Sequence, residues 1–416
     1  MDIVIIGGGI GGLTLALSLH QARLSCQVFE AAPEFHPLGV GINLLPHAMR
    51  EMSELGLQQK LERAGVETRE LCFYNSFGQF IFKEARGRFD GYHWPQLSIH
   101  RAELHAVLLE AVRERIGAER VHTGYKCVRI EQAAGGVTAH FVGPKSGDTI
   151  PPVQGVAAIG CDGIHSTVRK QLFPLEGPPR YSGINMWRGV SRCRPFLTGA
   201  SMVLAGCLRT GKMVIYPIRR DLDADGRQLI NWVAEMETPH HQQRDWNRKG
   251  RIEDFIGAFE QWSFEWHDYV RMVRASEIIL EYPMVDQEPL PQWSFGRISL
   301  LGDAAHPMYP RGSNGAGQAI LDARVLTRCL KAMADPVAAL KAYEAERAEA
   351  ANKVVLMNRA NPPDAILREV DIRTKGNPFA SIGDVISQDE LMAISENYKQ
   401  VAGFSVKALN DRPSLV

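Results

Sequence analysis

The sequence predicts an α/β fold in which a parallel, helix-backed sheet is interrupted by an antiparallel β-sheet domain and followed by C-terminal helices. Three observations predict it. The chain opens on a strand–helix–strand pattern of about thirty residues, the length of one βαβ unit. Between about 180 and 285 the pattern changes to alternating stretches rich in aromatic and β-branched residues, as half-buried antiparallel strands require. Beyond Arg297 an apolar strand runs into a glycine-rich turn and then long helical patterns.

Each element follows from local signals. Asp2-Ile3-Val4-Ile5-Ile6 is apolar and β-prone, residues 7–12 are rich in glycine, Leu13 to Ala22 place apolar residues on one helical face, and Ser25 to Glu30 is a second strand. A helix covers His47 to Leu55 and ends at Gly56; another, Arg101 to Ile116, follows the strand Gln96 to His100 and ends at Gly117. Ser182 to Val190, Met213 to Ile218 and Gln228 to Met236 are strands of the antiparallel sheet. Asp245 to Asp268 carries three of the seven tryptophans and is predicted helical, its rings packing a core in preference to touching a ligand. After the strand Arg297 to Leu301 a helix extends to about Ala334. Asp335-Pro336 supplies the N-cap and first residue of a further helix, which Asn361-Pro362-Pro363 stops near Ala360. The remainder reads as short helices and turns, open between a lid, a homodimer contact and simple packing. No internal repeat is present.

Composition narrows the function. Lys+Arg and Asp+Glu both number 47, so no charge excess points to nucleic acid or to an anionic membrane. Apolar residues make up 45% and charged ones 23%, values of an ordinary folded domain. No apolar run reaches about 18 residues, and the chain starts directly on a strand, so the expected setting is the cytoplasm. The seven cysteines are dispersed with no C-x-x-C pair, which predicts reduced thiols and no metal site. His240-His241 follows Pro239 without further ligands at metal spacing and is expected to be solvated. A small aromatic or apolar ligand fits this balance better than a macromolecule.

Gly7-Gly8-Gly9-Ile10-Gly11-Gly12 contains G-x-G-x-x-G between a strand and a helix, and Glu30 stands 18 residues after Gly12 at the end of the next strand. Glycines there permit a tight turn and a close approach to a pyrophosphate, which the helix N-terminus stabilises. The carboxylate accepts from ribose hydroxyls and would repel a 2′-phosphate, so this Rossmann-like unit is expected to hold FAD or NAD and not NADP.

Two later motifs, Gly160-Cys161-Asp162-Gly163-Ile164-His165-Ser166-Thr167-Val168-Arg169 and Leu301-Gly302-Asp303-Ala304-Ala305-His306-Pro307, complete an ordered triple. With them the chain resembles the class A flavoprotein monooxygenases of the p-hydroxybenzoate hydroxylase type. Pro37-Leu38-Gly39-Val40-Gly41-Ile42-Asn43, Ser98-Ile99-His100-Arg101, Asn185-Met186-Trp187-Arg188-Gly189-Val190, Tyr282-Pro283-Met284-Val285-Asp286 and Asn314-Gly315-Ala316 give it a closer likeness to the phenazine monooxygenases of the pyocyanin type, over about residues 1–360.

The resemblance implies a discontinuous FAD domain at 1–70, 98–178 and 286–334, a substrate-binding β-sheet domain at 71–97 and 179–285, and a C-terminal helical segment at 335–416. It implies cofactor contacts from Gly7, Gly9, Ile10, Gly11 and Gly12, from Glu30, and from Val40 and Gly41. Asp303 would accept from a ribityl hydroxyl. Asp162 would sit near the pyrophosphate, with Arg169 holding it and the Gly163 loop in place. Arg101 would reach the phosphates or the ribityl chain, and Tyr125 would lend its backbone to the adenine. Gly315 and Ala316, opening a helix, would stabilise negative charge on the N1–C2=O edge of reduced flavin. Ser313-Asn314 departs from the G-Q-G-x-N common in the family.

The implied reaction is hydroxylation of a small aromatic or N-heteroaromatic substrate, carboxylated or phenazine-like, by O2 through a flavin C4a-hydroperoxide, with NADH or NADPH as a transient co-substrate. A dry pocket, not a catalytic triad, is what such chemistry needs from the protein. Trp187 and Arg188 on one strand and Tyr216 on another are the candidates for stacking on, anchoring or deprotonating the substrate, and Met308 and Tyr309 for walling the flavin face. His306 reads as structural. The competing readings are a non-oxygenating FAD oxidoreductase of the same fold and a flavin-binding redox sensor. A W-x-W-x-I-P element is missing, which disfavours a halogenase.

Overall fold

In a computed structural model of the chain, residues 2–35, 39–238 and 249–416 are described here. His36, Pro37, Leu38 and the stretch holding His240 and His241 lie outside them, as does the start of the predicted helix at 245.

A six-stranded sheet runs in the order Ser294–Phe295, Ile298–Leu300, Ala157–Gly160, Ile3–Ile6, Cys26–Glu30, Val121–Thr123. All neighbours are parallel except the first pair. Ile3 to Ile6 are fully apolar and buried, as a central parallel strand covered on both faces must be. The helices Ile10–Gln21, Arg101–Ile116 and Gly315–Ala332 follow three of the glycine or strand signals read from sequence. Arg324, wholly buried in the last of these, donates to Gln21 at 2.6 Å, Glu54 at 2.9 Å and Glu51 at 3.2 Å. It thereby ties Gly315–Ala332 to Ile10–Gln21 and to Pro46–Glu54, and so sets the two glycine-led helix starts relative to one another.

The second large sheet has seven strands in the order Ile279–Asp286, Arg180–Cys193, Gln228–Glu237, Gly211–Arg219, Ser201–Cys207, Glu70–Tyr74, Phe80–Ala85. It is antiparallel apart from the pairing of Ser201–Cys207 with Glu70–Tyr74. Side chains alternate between its faces. Cys72, Trp187, Val203, Ala205, Met213, Ile215, Trp232 and Ala234 share one face and pack under Phe255, Phe259, Tyr269 and Met272. The other face carries Leu71, Met186, Arg188, Met202, Leu204, Lys212, Val214, Tyr216, Val233 and Glu235.

The cover of the first face corrects the helix expected over 245–268. Within the described part, two 3-10 turns at Ile252–Asp254 and Ile256–Phe259 and an isolated bridge between Phe264 and His267 take its place, and helix begins only at Tyr269–Arg274. The aromatic spacing is helical, but the rings spread over a flat sheet: Phe255 stacks on Trp187 at 5.0 Å, Trp262 meets Phe259 edge-on, and a Cβ on Gly206 would lie 2.5 Å from Trp262. The tryptophans Trp262 and Trp266 pack this core, as expected.

Pro336–Ala360 is the longest helix among the described residues; Asp335 caps it by accepting from Val337 and Ala338, and Asn361 ends it. Ala365–Thr374, Gln388–Val401 and Val406–Asp411 follow. No helix among the described residues is long and apolar enough to cross a membrane, and no cluster of three His, Cys, Asp or Glu suited to a metal ion occurs among them.

Candidate active site

A cavity of about 360 Å³ lies between the two large sheets. Gly9, Ile10 and Gly11 enter it at the start of Ile10–Gln21, Asp303 from the turn Gly302–Ala304, and Gly315 and Ala316 at the start of Gly315–Ala332. Gly41, Arg101, Arg188 and Tyr216 join them, as does Met308. Residues far apart in the chain and singled out by sequence therefore meet in one place.

The glycines at the first helix start have separable reasons. A Cβ on Gly7 would lie 2.4 Å from the Cys161 carbonyl oxygen, and one on Gly12 2.0 Å from the Gly7 carbonyl oxygen. Those two let backbones touch. A Cβ on Gly9 meets nothing within 4 Å, so its space is left open to the cavity. No side chain caps this helix and no acid sits in its first turn, which leaves N–H groups and the positive dipole end for an anion. Glu30 accepts from the Gly8 and Ala32 amides, each at 2.8 Å, and is thereby held at the strand end with lone pairs to spare. The second helix start matches the first: Asn314 gives no side-chain cap and no acid occupies the first turn. These features suit a dinucleotide with a flavin at its far end.

Arg101 opens its helix, its amide donating to Val40 O at 2.9 Å, so Val40 is fixed through its backbone. Burial lowers the guanidinium pKa against the pull of Asp303, but an arginine stays charged regardless. Asp303 lines the cavity, with its Oδ1 3.9 Å from where a Cβ on Gly315 would lie, so the carboxylate faces the second helix start. Arg188 donates to Gly41 O at 3.0 Å, while its Nε is buried without a partner. Burial raises the Tyr216 phenol pKa, with Arg188 pulling the other way, so at neutral pH the phenol keeps its proton. Gly41 N in turn donates to Asn231 at 2.7 Å, which joins the glycine-rich turn to the antiparallel sheet.

Several expectations are corrected. Trp187 cannot face the cavity with Arg188, because neighbours in a strand point to opposite faces; its indole stacks on Phe255 instead. Arg169 does not hold Asp162. It pairs with Glu176 and donates to the carbonyls of Ala304, Ala305 and Glu288. Asp162 accepts from Ser166 at 2.5 Å and from the Thr167 amide at 2.7 Å, and burial pushes its carboxyl pKa up against these bonds. Tyr309 is buried in the apolar core beside Met284 and Leu367, leaving Met308 alone of the pair on the cavity. Tyr125 packs among Phe29, His122 and Phe141, with its amide donating to Glu30 O at 2.9 Å. His306 is structural, as its sequence context predicted: its Nε2 meets Asp322 at 2.6 Å, both buried.

The sequence reading missed the far end of the cavity. Lys212 meets Glu235 at 2.8 Å and Asp364 at 2.5 Å, and Asp364 also accepts from Arg311 at 2.9 Å. Lys212 and Tyr216 are four apart on one strand, so strand parity could have found the lysine. Nothing local announces Asp364, Ser395, Tyr398, Lys399 and Phe404, which the C-terminal segment contributes to the wall.

Comparison with known proteins agrees with this geometry. The family described as an FAD binding domain matches residues 1–256 and 267–358. The phenazine 1,6-dicarboxylic acid hydroxylase PhzS of Lysobacter antibioticus is 40% identical over 404 residues, 96% of this chain and 97% of that protein. The 6-hydroxynicotinate 3-monooxygenase of Pseudomonas fluorescens is 29% identical, over 86% of this chain and 90% of its own. Among solved structures, a salicylate hydroxylase substrate complex superposes with a TM-score of 0.73 at 21% identity, covering 100% of this chain and 99% of that one. Fold and site together define an FAD-dependent aromatic monooxygenase. The chain belongs to the FAD-binding domain family, within its aromatic hydroxylase branch.

Proposed function

We propose that this protein hydroxylates a small aromatic or N-heteroaromatic acid, such as a phenazine carboxylate, with NADH or NADPH as a transient reductant and the cytoplasm as its setting. The observation that carries the reading is the single cavity that joins two uncapped, glycine-led helix starts to Arg188 and Tyr216.

FAD, when bound, supplies the redox and oxygen chemistry. The chain's own residues do the rest. Gly9, Ile10 and Gly11 offer backbone donors to the pyrophosphate, backed by Gly7 and Gly12, with Asp162 shaping the neighbouring turn. Glu30 accepts from the ribose hydroxyls, Asp303 from the ribityl chain, and Arg101 answers the phosphate charge. Tyr125, Val40 and Gly41 contribute through the backbone. The uncapped helix start at Gly315 and Ala316 would stabilise negative charge on a reduced ring. Arg188 anchors the acid group of the substrate, and the protonated Tyr216 donates to a ring oxygen or nitrogen. Met186, Met202, Leu204, Val214 and Val233 provide an apolar wall that holds the ring and excludes water.

The test is incubation of the FAD-loaded protein with NADH or NADPH under 18O2 with phenolic and N-heteroaromatic carboxylates. We expect one 18O atom in the product of at least one acid, with nucleotide oxidation accelerated by that acid. Nucleotide oxidation that yields only hydrogen peroxide with every acid defeats the reading and leaves a reductase.

A further inference from the structure

Six cationic side chains line the cavity: Arg86, Arg101, Arg188, Lys212, Arg311 and Lys399. Four are neutralised by the protein itself. Arg86 pairs with Glu84; Lys399 lies 2.8 Å from Glu396 and 3.0 Å from Asp90. Lys212 sits between Glu235 and Asp364, and Arg311 makes a two-nitrogen contact to the other oxygen of Asp364, at 2.9 and 3.2 Å. Among the described residues, no carboxylate comes within ion-pair distance of Arg101 or Arg188. Arg101 faces Asp303 at the cofactor end, which leaves Arg188 as the cation without a counter-charge on the substrate-facing sheet. The only hydrogen-bond partners of Arg188 among the described residues are the neutral Gly41 carbonyl and the Tyr216 phenol, and its Nε has none, so a ligand that brings one negative group there is favoured.

Asp364 holds the opposite position. It is 5% exposed, comes from the C-terminal segment next to Ala365–Thr374, and has both oxygens engaged by cations of two other elements. A second carboxylate placed at that end would meet Asp364 and Glu235 with Lys212 and Arg311 already neutralised. We infer that the substrate is a monoanion seated on Arg188, and that Asp364 is a built-in counter-ion that closes the far end of the cavity to dianions. This rests on the proposed function and names the substrate class of the same site.

The experiment is isothermal titration of the FAD-loaded protein, without reductant, with matched benzene, quinoline and phenazine mono- and dicarboxylates, including phenazine-1-carboxylate and phenazine-1,6-dicarboxylate. The wild-type protein is expected to bind the best monocarboxylate at least about tenfold more tightly than its dicarboxylate. Asp364→Asn, which takes one of the two carboxylates from Lys212 and leaves Arg311 without its counter-ion, is expected to shrink that ratio by about tenfold with flavin content unchanged. Equal or tighter wild-type binding of the dicarboxylate, or binding of no acid in any pair, overturns the inference. A folded Asp364→Asn protein that keeps the wild-type ratio does so as well. Should that variant fail to fold, the carboxylate against the carboxamide of the best ligand decides. The wild-type protein should prefer the carboxylate by at least about tenfold and Arg188→Gln should bring the ratio near one; an unchanged ratio overturns the inference. These equilibria can fail while 18O is still incorporated, and can hold while it is not.

Discussion

The hydroxyl of Tyr398 lies 3.0 Å from the side-chain amide nitrogen of Asn314, the residue at which the helix Gly315–Ala332 begins. The same hydroxyl donates to Asn358 at 2.7 Å, and a Cβ on Gly312, whose φ is +85°, would fall 2.0 Å from it. The bonds continue inward. Asn314 accepts from Gln318, Gln318 from Arg347 at 2.6 Å, and Arg347 donates to Asp322 at 2.7 Å, which also holds His306. One chain of contacts thus links the C-terminal segment to both turns at the flavin end of the cavity.

Tyr398→Phe removes that hydroxyl and leaves the buried Asn314 amide nitrogen without its acceptor and the Asn358 amide oxygen without its donor, a loss of about 1–3 kcal/mol. We expect a lower Tm and a faster release of FAD, since the loop before Gly315 loses its tether. Thermal unfolding with and without added FAD checks both. An unchanged Tm and release rate would show that the network does not hold the loop.

The two ends of the glycine motif separate folding from binding. Gly9 has φ −76° and ψ −173°, extended backbone open to any residue, whereas Gly12 has no room for a Cβ. Gly9→Val should therefore fold with its stability changed by less than about 1 kcal/mol, yet bind FAD at least about a hundredfold more weakly. Gly12→Ala should lose soluble protein. Retained flavin in purified Gly9→Val would show that the anion site lies elsewhere.

His47 is fully buried, neither ring nitrogen finds a hydrogen-bond partner, and the ring stacks on Phe404 at 5.0 Å. Burial, with Arg412 and Arg347 adding to it, pushes its pKa down from 6.5 to about 3. The folded value lies below the unfolded one, so the unfolded chain takes up the proton first as pH falls. Stability from this group is complete above pH 6.5 and drains as pH drops toward 3, by about 2 kcal/mol at pH 5. His47→Leu should leave the Tm at pH 7.5 nearly unchanged and flatten its decline between pH 6.5 and 5. A decline equally steep in the variant would place the acid sensitivity at other groups.

What the sequence disclosed was what local chemistry determines. Gly9, Glu30, Arg101 and Asp303 sit at strand ends and helix starts, where spacing and residue type carry meaning without knowledge of the partner. Arg188 and Tyr216 were legible because aromatic and cationic residues are conspicuous on strands; Trp187 was misplaced only because strand parity was not applied to its neighbour. The helix expected through Trp262 failed because tertiary packing of broad rings on a sheet overrode their helical spacing. Arg169 and Asp364 make pairings between segments far apart in the chain, and no local pattern specifies which distant carboxylate a cation will meet.

The central strand Ile3–Ile6 finds one neighbour in Cys26–Glu30 but has to await Ala157–Gly160 for the other, and that strand in turn awaits Ile298–Leu300. Between them the ribosome must deliver almost the whole antiparallel sheet. Ala157–Gly160, made before most of that sheet, is consequently covered on its second edge only after it, and nascent chains stalled before Ile298 carry an unpaired parallel edge that a chaperone would have to shield.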